Sequence, residues 1–325
     1  TVAACVGMAA GFNRTKVVPC RQHDGIDAVK NAFIMRCRAV LIYPGDPERP
    51  DFAPVEQLIE HSAALGKQVY VNLSLNLVES RTDWIVKRMT EWRSRFGARI
   101  KACVFSYSVI ELEALAPIRD LLVCIPKTIQ YDPVYQAAFE HTQGIFLGDL
   151  QKLLNRGLVH GDIEDWIAPL RQALPGVPLY AVRQYGGKVD RDLGLTVVPY
   201  THGPEWEQWL ATLRIACCMT PHATYEMVPV ECAGLGVPVV YRPMIHAHSE
   251  VLSFAGVQVD TPEQFAAACK MLYTDPVLWE SHSRAISWRA YSQHVEFVGA
   301  AIHRQIVMGQ LAGSLSAFGP GTASS

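Results

Sequence analysis

The sequence predicts an α/β protein built as two Rossmann-like lobes that face each other across a cleft. Three observations predict it. The chain has 325 residues, more than one ordinary domain holds and enough to bury a core in each of two. Strand-like apolar runs alternate with helical patterns at a regular beat, the signature of βαβ units. The strand runs are almost continuously apolar, as strands buried on both faces of a parallel sheet are.

The first lobe is expected over residues 1–126. Its strand "AVLIYPGD" begins at Ala39 and is followed by the helical pattern "VEQLIEHSAALG" and the strand "QVYVNLSLN". A helix "DWIVKRMTEWRSRF", a strand "KACVFSYS", a helix "VIELEALAPIRD" and a strand "LLVCIP" ending at Pro126 complete it. After "KTIQYDPVYQAAFEHTQ" the beat restarts, which sets a second lobe at 143–284. Its elements are "GIFLGDL", the helix "DIEDWIAPLRQALPG", the strands "PLYAVRQY" and "LTVVPY", the helix "PEWEQWLATLR" and the strand "IACCMT". The helix "VPVECAGLG", the strand "PVVYRP", a short "GVQVD" and the helix "TPEQFAAACKMLYTD" follow. Helices from about residue 285 are expected to pack back on the first lobe. The stretch 313–325, "GSLSAFGPGTASS", is too small and polar to bury surface and is expected to be a flexible tail.

Half of the residues are hydrophobic, 18% are charged and the formal net charge is −2, so whole-chain charge predicts no partner. Nine cysteines stand without even spacing, two of them adjacent at Cys217 and Cys218, which suits reduced core thiols of a cytoplasmic protein better than a disulfide framework. No apolar run approaches the roughly 20 residues of a membrane span. The first residues, "TVAACVGMAAGFNRTK", lack the basic start of a secretory signal, so the expected location is cytoplasmic.

One local charge bias stands out. The stretch 81–101, "RTDWIVKRMTEWRSRFGARIK", carries seven basic residues (Arg81, Lys87, Arg88, Arg93, Arg95, Arg99, Lys101) against two acids, with Trp84 and Trp92 between them. Such a helix can dock a polyanion such as DNA or an anionic membrane carrying a lipid acceptor. It reads equally as a solvated helix whose tryptophans face the core.

The stretch that raises a functional question is "TYEMVPVECAGLGVPVVYRPM", Thr224 to Met244, where the acidic Glu231 heads a small-residue run that ends in an apolar strand. With the following "SEVLSFAGVQVDTPEQFAAACKMLYTDPVLWESHSRAISWRAYSQH", it resembles the nucleotide-sugar-binding half of GT-B glycosyltransferases, above all retaining glycosyltransferase family 4 and its relatives. Pro229, Val230 and Glu231 match the middle of that family's pattern, and Gly236, Pro238, Val239 and Val240 match its end. The likeness covers roughly residues 125–295 and includes Ile125 and Pro126 of the interlobe segment.

The resemblance implies a glycosyltransferase that takes its sugar from a nucleotide-sugar, UDP-sugar favoured, without a metal or other cofactor. A turn at Thr224, Tyr225, Glu226 and Met227 would open a helix whose free N–H groups and positive dipole end hold the pyrophosphate, while Glu231 accepts from the ribose hydroxyls. The alternative for Glu231 is an ordinary solvent-facing position. Small residues Ala233, Gly234 and Gly236 would let the helix pack closely against the sheet and the ligand.

The departures from the family are specific. The family's first Glu falls here at Ala223, with His222 and Glu226 beside it. Its Gly-Arg falls at Gly148 and Asp149, so Lys152, Arg183 and Lys188 become the candidates to neutralise the phosphates. Arg183 ends a strand before a Gly pair, which suits phosphate approach or an ordinary loop. Ser249 and Glu250, in the loop "IHAHSEV", lie where relatives wrap the donor. His246 and His248 of that loop are two histidines alone and read as surface residues, with no metal set elsewhere.

For the acid or base of the first lobe, His23 and Asp24 in "CRQHDGID" are the candidates, against a plain polar loop; Asn72, Ser106 and Tyr107 end strands nearby. If the likeness to retaining enzymes holds, the leaving phosphate itself can take the acceptor's proton. The acceptor class stays open among small molecule, glycan, lipid and modified DNA base. Two further readings are a non-catalytic nucleotide-sugar binder or scaffold and a sugar-nucleotide epimerase of the same fold.

Overall fold

The computed structural model describes residues 34–35, 39–42, 52–72, 79–104, 107–124, 129, 131–159, 161–183, 192–220, 227–243, 250–292 and 294. They form two parallel sheets, each with its own helices. In the first lobe the order along the chain is β1 (Ala39–Ile42), α1 (Phe52–Ala64), β2 (Gln68–Asn72), α2 (Glu79–Phe96), β3 (Ile100–Val104), α3 (Tyr107–Ile110) and β4 (Leu122–Cys124). Its strands pair in the order β1-β2-β3-β4, all parallel. Ile59, Val69, Ile85, Trp92, Ile100 and Ile118 make its core.

The segment expected as one helix over "VIELEALAPIRD" is instead the single turn α3 followed by a 3₁₀ helix, Glu113–Leu121. Leu112 takes an extended conformation between them, and Pro117 removes a helical N–H donor. The buried residues Leu115, Ile118 and Leu121 recur every third position, the period at which 3₁₀ side chains eclipse on one face.

Helix α2 uses much of its positive charge inside the lobe. Arg95 donates to both carboxylate oxygens of Glu60 at 2.6 and 2.9 Å and holds that carboxyl below its ordinary range. Arg88 pairs with Glu56 of α1 and with Glu91, and Arg93 with Asp120 at 2.5 Å. Trp92 is buried and gives its indole N–H to Glu60 at 3.0 Å. Lys87 and Arg99 remain exposed on this stretch.

The second lobe runs β5 (Ile145–Asp149), α4 (Leu150–Leu154), α5 (Arg156–Val159), α6 (Ile163–Ala173), β6 (Leu179–Arg183), β7 (Thr196–Pro199), α7 (Pro204–Ala211) and β8 (Ile215–Cys218). It continues with α8 (Met227–Gly234), β9 (Val239–Tyr241), α9 (Glu250–Ala255), β10 (Val257–Gln258), α10 (Pro262–Thr274) and α11 (Pro276–Tyr291). All pairings are parallel, in the order β10-β9-β8-β5-β6-β7. In the inner strands β5, β8 and β9 alternate residues enter opposite cores: Phe146, Cys218, Val239 and Tyr241 pack on one face, Ile145, Leu147, Cys217 and Val240 on the other. Burial on both faces explains the continuous apolar runs of the sequence.

Helix starts follow from side-chain capping. Asp162 accepts from the Glu164 N–H, Thr261 from Gln264, and Asp275 from Val277 and Leu278. Pro204, Pro262 and Pro276 stand at the first turns, where a missing N–H costs nothing.

The interlobe segment is bound to the second lobe. Ala137 donates to the Leu235 carbonyl at 2.8 Å, Gln136 to that of Gly234 at 3.3 Å, and Ile129 bridges to His294. A Cβ at Gly234 would lie 2.5 Å from the ring of Tyr131, which is 5% exposed. The small residue therefore admits the interlobe Tyr131, where the sequence suggested sheet and ligand. Gly234→Ala is expected to lower stability by about 1–3 kcal/mol, measured by urea denaturation, because the added methyl must displace the buried Tyr131 ring.

Helix α11 runs through residue 285 as one element and packs on α8 and α9 of its own lobe. The stretch 295–325, including the expected tail, lies outside the described residues. Among the described residues no helix is long and apolar enough to cross a membrane.

The described cysteines 103, 124, 217, 218, 232 and 269 are buried. Burial pushes the Cys103, Cys217 and Cys232 thiols up, and pushes the Tyr131 hydroxyl, beside Tyr291, up to about 12. The fold holds these groups neutral, whereas the unfolded thiols and tyrosine ionise from their ordinary values of 9.0 and 10.0. Stability is thus fully present below those values and lost as pH rises toward the folded ones. A melting temperature level from about pH 7 to 8.5 and falling at higher pH is the expected profile; one still level at about pH 11 would contradict it.

Candidate functional site

In the second sheet the strand order reverses between β5 and β8, which makes that pair the topological switch point of a doubly wound lobe. Ligands of such lobes bind outside the carboxyl ends of the strands at this place, where two successive loops diverge to opposite faces. The groups at that edge are Asp149 at the end of β5, Arg183 at the end of β6, Tyr200 after β7, Met219 and Thr220 after β8, and Arg242 after β9.

Helix α8 returns from this edge behind β8. Glu231 lies one turn in, partly buried, and its Oε2 accepts the indole N–H of Trp206 at 3.1 Å. Trp206 stands in the first turn of α7, is 5% exposed and stacks on Trp209 with centroids 5.0 Å apart. Tyr200 meets Trp206 edge-on at 5.2 Å and His202 at 4.8 Å. Glu231 is accordingly a fixed carboxylate beside an aromatic cluster, which answers why an acid heads this apolar run. An indole N–H holding one oxygen orients the group toward hydroxyl donors, and aromatic faces beside it suit a planar ring.

Asp149, standing where the resembled family has Arg, caps α4 by accepting from the Lys152 N–H at 3.1 Å and is 7% exposed. The preceding Gly148 has φ 143°, and the β5–β6 register shifts between Phe146 and Gly148. A bulge there turns the chain sharply into α4, a conformation open to glycine and closed to most side chains. Of the expected phosphate partners, Arg183 is exposed at the end of β6, where its carbonyl accepts from Tyr200 N–H at 3.2 Å.

The structure thus brings Glu231, Arg183, Lys152 and the opening residue of α8, Met227, to one edge, and Glu250 opens α9 behind β9. His23, Asp24, Lys188, His222, Thr224, Tyr225, Glu226, Ser249 and the pair His246 and His248 lie outside the described residues. Sequence reasoning missed Trp206 and Tyr200. The available signal was their place, in the loop and first helical turn after a strand now seen to neighbour the switch-point half of the sheet. A groove of about 710 Å³ between the interlobe segment and α11, floored by Phe139 and Trp279, contains no strand-end residue and is separate from this site. Among the described residues no three His, Cys, Asp or Glu side chains gather as a metal set.

No family model matches the chain, and no curated protein matches it either. Solved structures do. The chain is similar to HepE (Alr3699) of Anabaena, crystallised with UDP and glucose, at a TM-score of 0.58 and 10% identity over 85% of this chain and 80% of that one. It is similar to TarM at a TM-score of 0.51 and 11% identity over 72% of this chain, spanning 49% of the TarM chain, about half its length. A GtfA/B complex matches at a TM-score of 0.55 and 12% identity, over 78% of this chain and 55% of that one. At such identity the likeness is one of fold: two Rossmann-like lobes of the GT-B arrangement.

Proposed function

We propose that this protein transfers a sugar from a nucleotide-sugar, with a UDP-sugar as the favoured donor, to an acceptor presented by the first lobe. The observation that carries the reading is the carboxylate of Glu231, oriented by Trp206 beside the switch point of a doubly wound lobe. A carboxylate there can accept from two ribose hydroxyls, the aromatic cluster of Tyr200 and Trp206 flanks a base, and the start of α8 faces the diphosphate. HepE, of like fold, was crystallised with UDP-glucose, which supports UDP over other nucleotides.

The proposed reaction is metal-independent and retaining, with the departing diphosphate taking the acceptor's proton. His23 and Asp24 stay candidates for the first-lobe contribution, and Lys188, His222, Thr224, Tyr225, Glu226, Ser249 and Glu250 for donor contacts. The ion pairs of α2 leave less free charge for DNA or an anionic membrane than its sequence suggests, so a small-molecule or glycan acceptor fits better.

Incubating the chain with a set of UDP-sugars and measuring released UDP and the fate of the sugar tests this directly. Release with the sugar joined to an acceptor supports transfer, and a changed sugar still on its nucleotide would mean epimerisation. Asp149, a helix cap in place of an arginine, favours a second reading, donor binding without transfer. Binding of UDP-sugar with no turnover over a broad acceptor set would select it.

A further inference from the structure

The diphosphate of such a donor carries charge that some fixed cation at the carboxyl edge has to meet. Four basic residues stand there among the described ones. Arg156 opens α5 and pairs with Asp162 at 3.0 Å, on a side chain that is 73% exposed. Lys152 and Arg183 are already engaged in other interactions. Arg242 differs from all three.

Arg242 directly follows β9, the neighbour of β8, and its backbone N–H extends the ladder to the Cys218 carbonyl at 3.0 Å. Its side chain leaves on the face opposite Glu231 and lies over Trp166, with the guanidinium carbon 4.2 Å from the ring centroid. One nitrogen, Nη1, donates to the carbonyl of Val159, in the chain following β5, and approaches that of Met219, just after β8, at 3.5 Å. The guanidinium therefore bridges the end of α5, on the chain that follows β5, and the residue directly after β8. Stacking and two carbonyls hold its plane still, and only Nη1 is used to do it. Among the described residues Nε and Nη2 donate to nothing, and no carboxylate pairs with the group.

Half-burial without a counter-ion disfavours the charged form and lowers the Arg242 pKa, yet a guanidinium stays protonated at neutral pH. A cation held in this way has a strong field and low reorganisation cost, and its remaining parallel donors match two oxygens of a phosphate. At the other side of the switch point, the β5 end carries the acid Asp149, engaged as a helix cap, so no cation stands at that position.

We propose that Arg242 is the fixed cation of the diphosphate subsite, binding phosphate oxygens of the donor through Nε and Nη2 and stabilising the nucleoside diphosphate as it departs. The assignment rests on the donor-site reading above and goes beyond it by naming the residue that replaces the missing arginine. Trp166 is its positioning residue.

Calorimetric titration of the full chain with uridine, UMP, UDP and inorganic pyrophosphate tests the assignment in wild type, Arg242→Gln and Arg242→Lys. Arg242→Gln should weaken UDP and pyrophosphate roughly ten- to a hundredfold, as loss of charge-assisted hydrogen bonds does, and leave uridine unchanged. Arg242→Lys, which keeps the charge and loses the fork, should recover part of the loss. Equal weakening of UDP and uridine, or unchanged UDP, overturns the assignment while the donor site stands. Pyrophosphate binding that Arg242→Gln removes, in a chain that ignores uridine and UDP, keeps the cation and sinks the uridine reading. A wild type that binds neither UDP nor pyrophosphate overturns both.

Discussion

Glu231→Ala is expected to abolish the thermal stabilisation that UDP gives the wild-type chain, with affinity lowered about a hundredfold or more. A hydrogen bond to a charged acceptor contributes roughly 1.5–3 kcal/mol, and a ribose offers two hydroxyls to this carboxylate. At a UDP concentration near 100 times the dissociation constant, wild type gains about 2.7 kcal/mol, and the variant should gain almost none. The substitution also strands the indole N–H of Trp206, 5% exposed, so the unliganded variant melts somewhat lower. Glu231→Gln separates the two effects, since its amide oxygen still accepts from Trp206 but carries no charge; it should melt like wild type and bind UDP with intermediate affinity. Melting curves with and without UDP read both, and full stabilisation of Glu231→Ala by UDP would remove Glu231 from the donor site.

Arg214→Met is expected to destabilise the second lobe by about 2–4 kcal/mol, the cost of leaving buried acceptors without a donor. Arg214 is 8% exposed at the amino end of β8, and burial lowers its pKa. Its Nη2 and Nε donate to the Thr142 carbonyl at 2.7 and 3.3 Å, and Nη1 donates to that of Tyr273 at 3.3 Å. The guanidinium carbon lies 3.5 Å from the centroid of the Phe139 ring, and the Arg214 carbonyl accepts the indole N–H of Trp279 at 2.7 Å. The side chain thereby ties the interlobe segment to α10, while the backbone carbonyl of the same residue holds the start of α11. Methionine keeps the volume and loses the donors, so urea denaturation should show the loss while UDP affinity, set at the opposite end of the strands, stays level. A loss below about 0.5 kcal/mol would mean that these contacts contribute little net stability.

The parallel sheets were legible because burial on both faces leaves a mark that survives in a single sequence. The ten strands among the described residues were visible as apolar runs, and the second lobe's order followed once their pairing was known. Glu231 was legible as an anomaly, an acid heading an apolar segment. Its partner was not, because Trp206 is 25 residues away and only the return of α7 and α8 to one edge joins them. The helix expected over "VIELEALAPIRD" failed at Leu112 and Pro117, where a three-residue apolar period competed with the helical one. Gly234 read as room for a ligand and proved to be room for Tyr131, a contact that crosses from the interlobe segment. Arg242 read as the tail of a strand, since neither its stacking on Trp166 nor its reach to Val159 leaves a trace in spacing.

The charge of α2 shows the converse. Seven basic residues in a stretch of 21 suggested an outward-facing surface, but Arg88, Arg93 and Arg95 find carboxylates from two other elements, α1 and the 3₁₀ helix. Composition reports the charge of a stretch and not the partners that folding brings to it.

Hydrogen–deuterium exchange of the full chain with and without UDP tests the central claim most directly, because backbone amides report where a ligand settles. The account predicts slowed exchange in peptides covering 199–206, 218–234 and 241–243, the carboxyl edge around the switch point, with little change in residues 52–124. Protection confined to the first lobe, or to the groove beside Phe139 and Trp279, would contradict a donor site at Glu231.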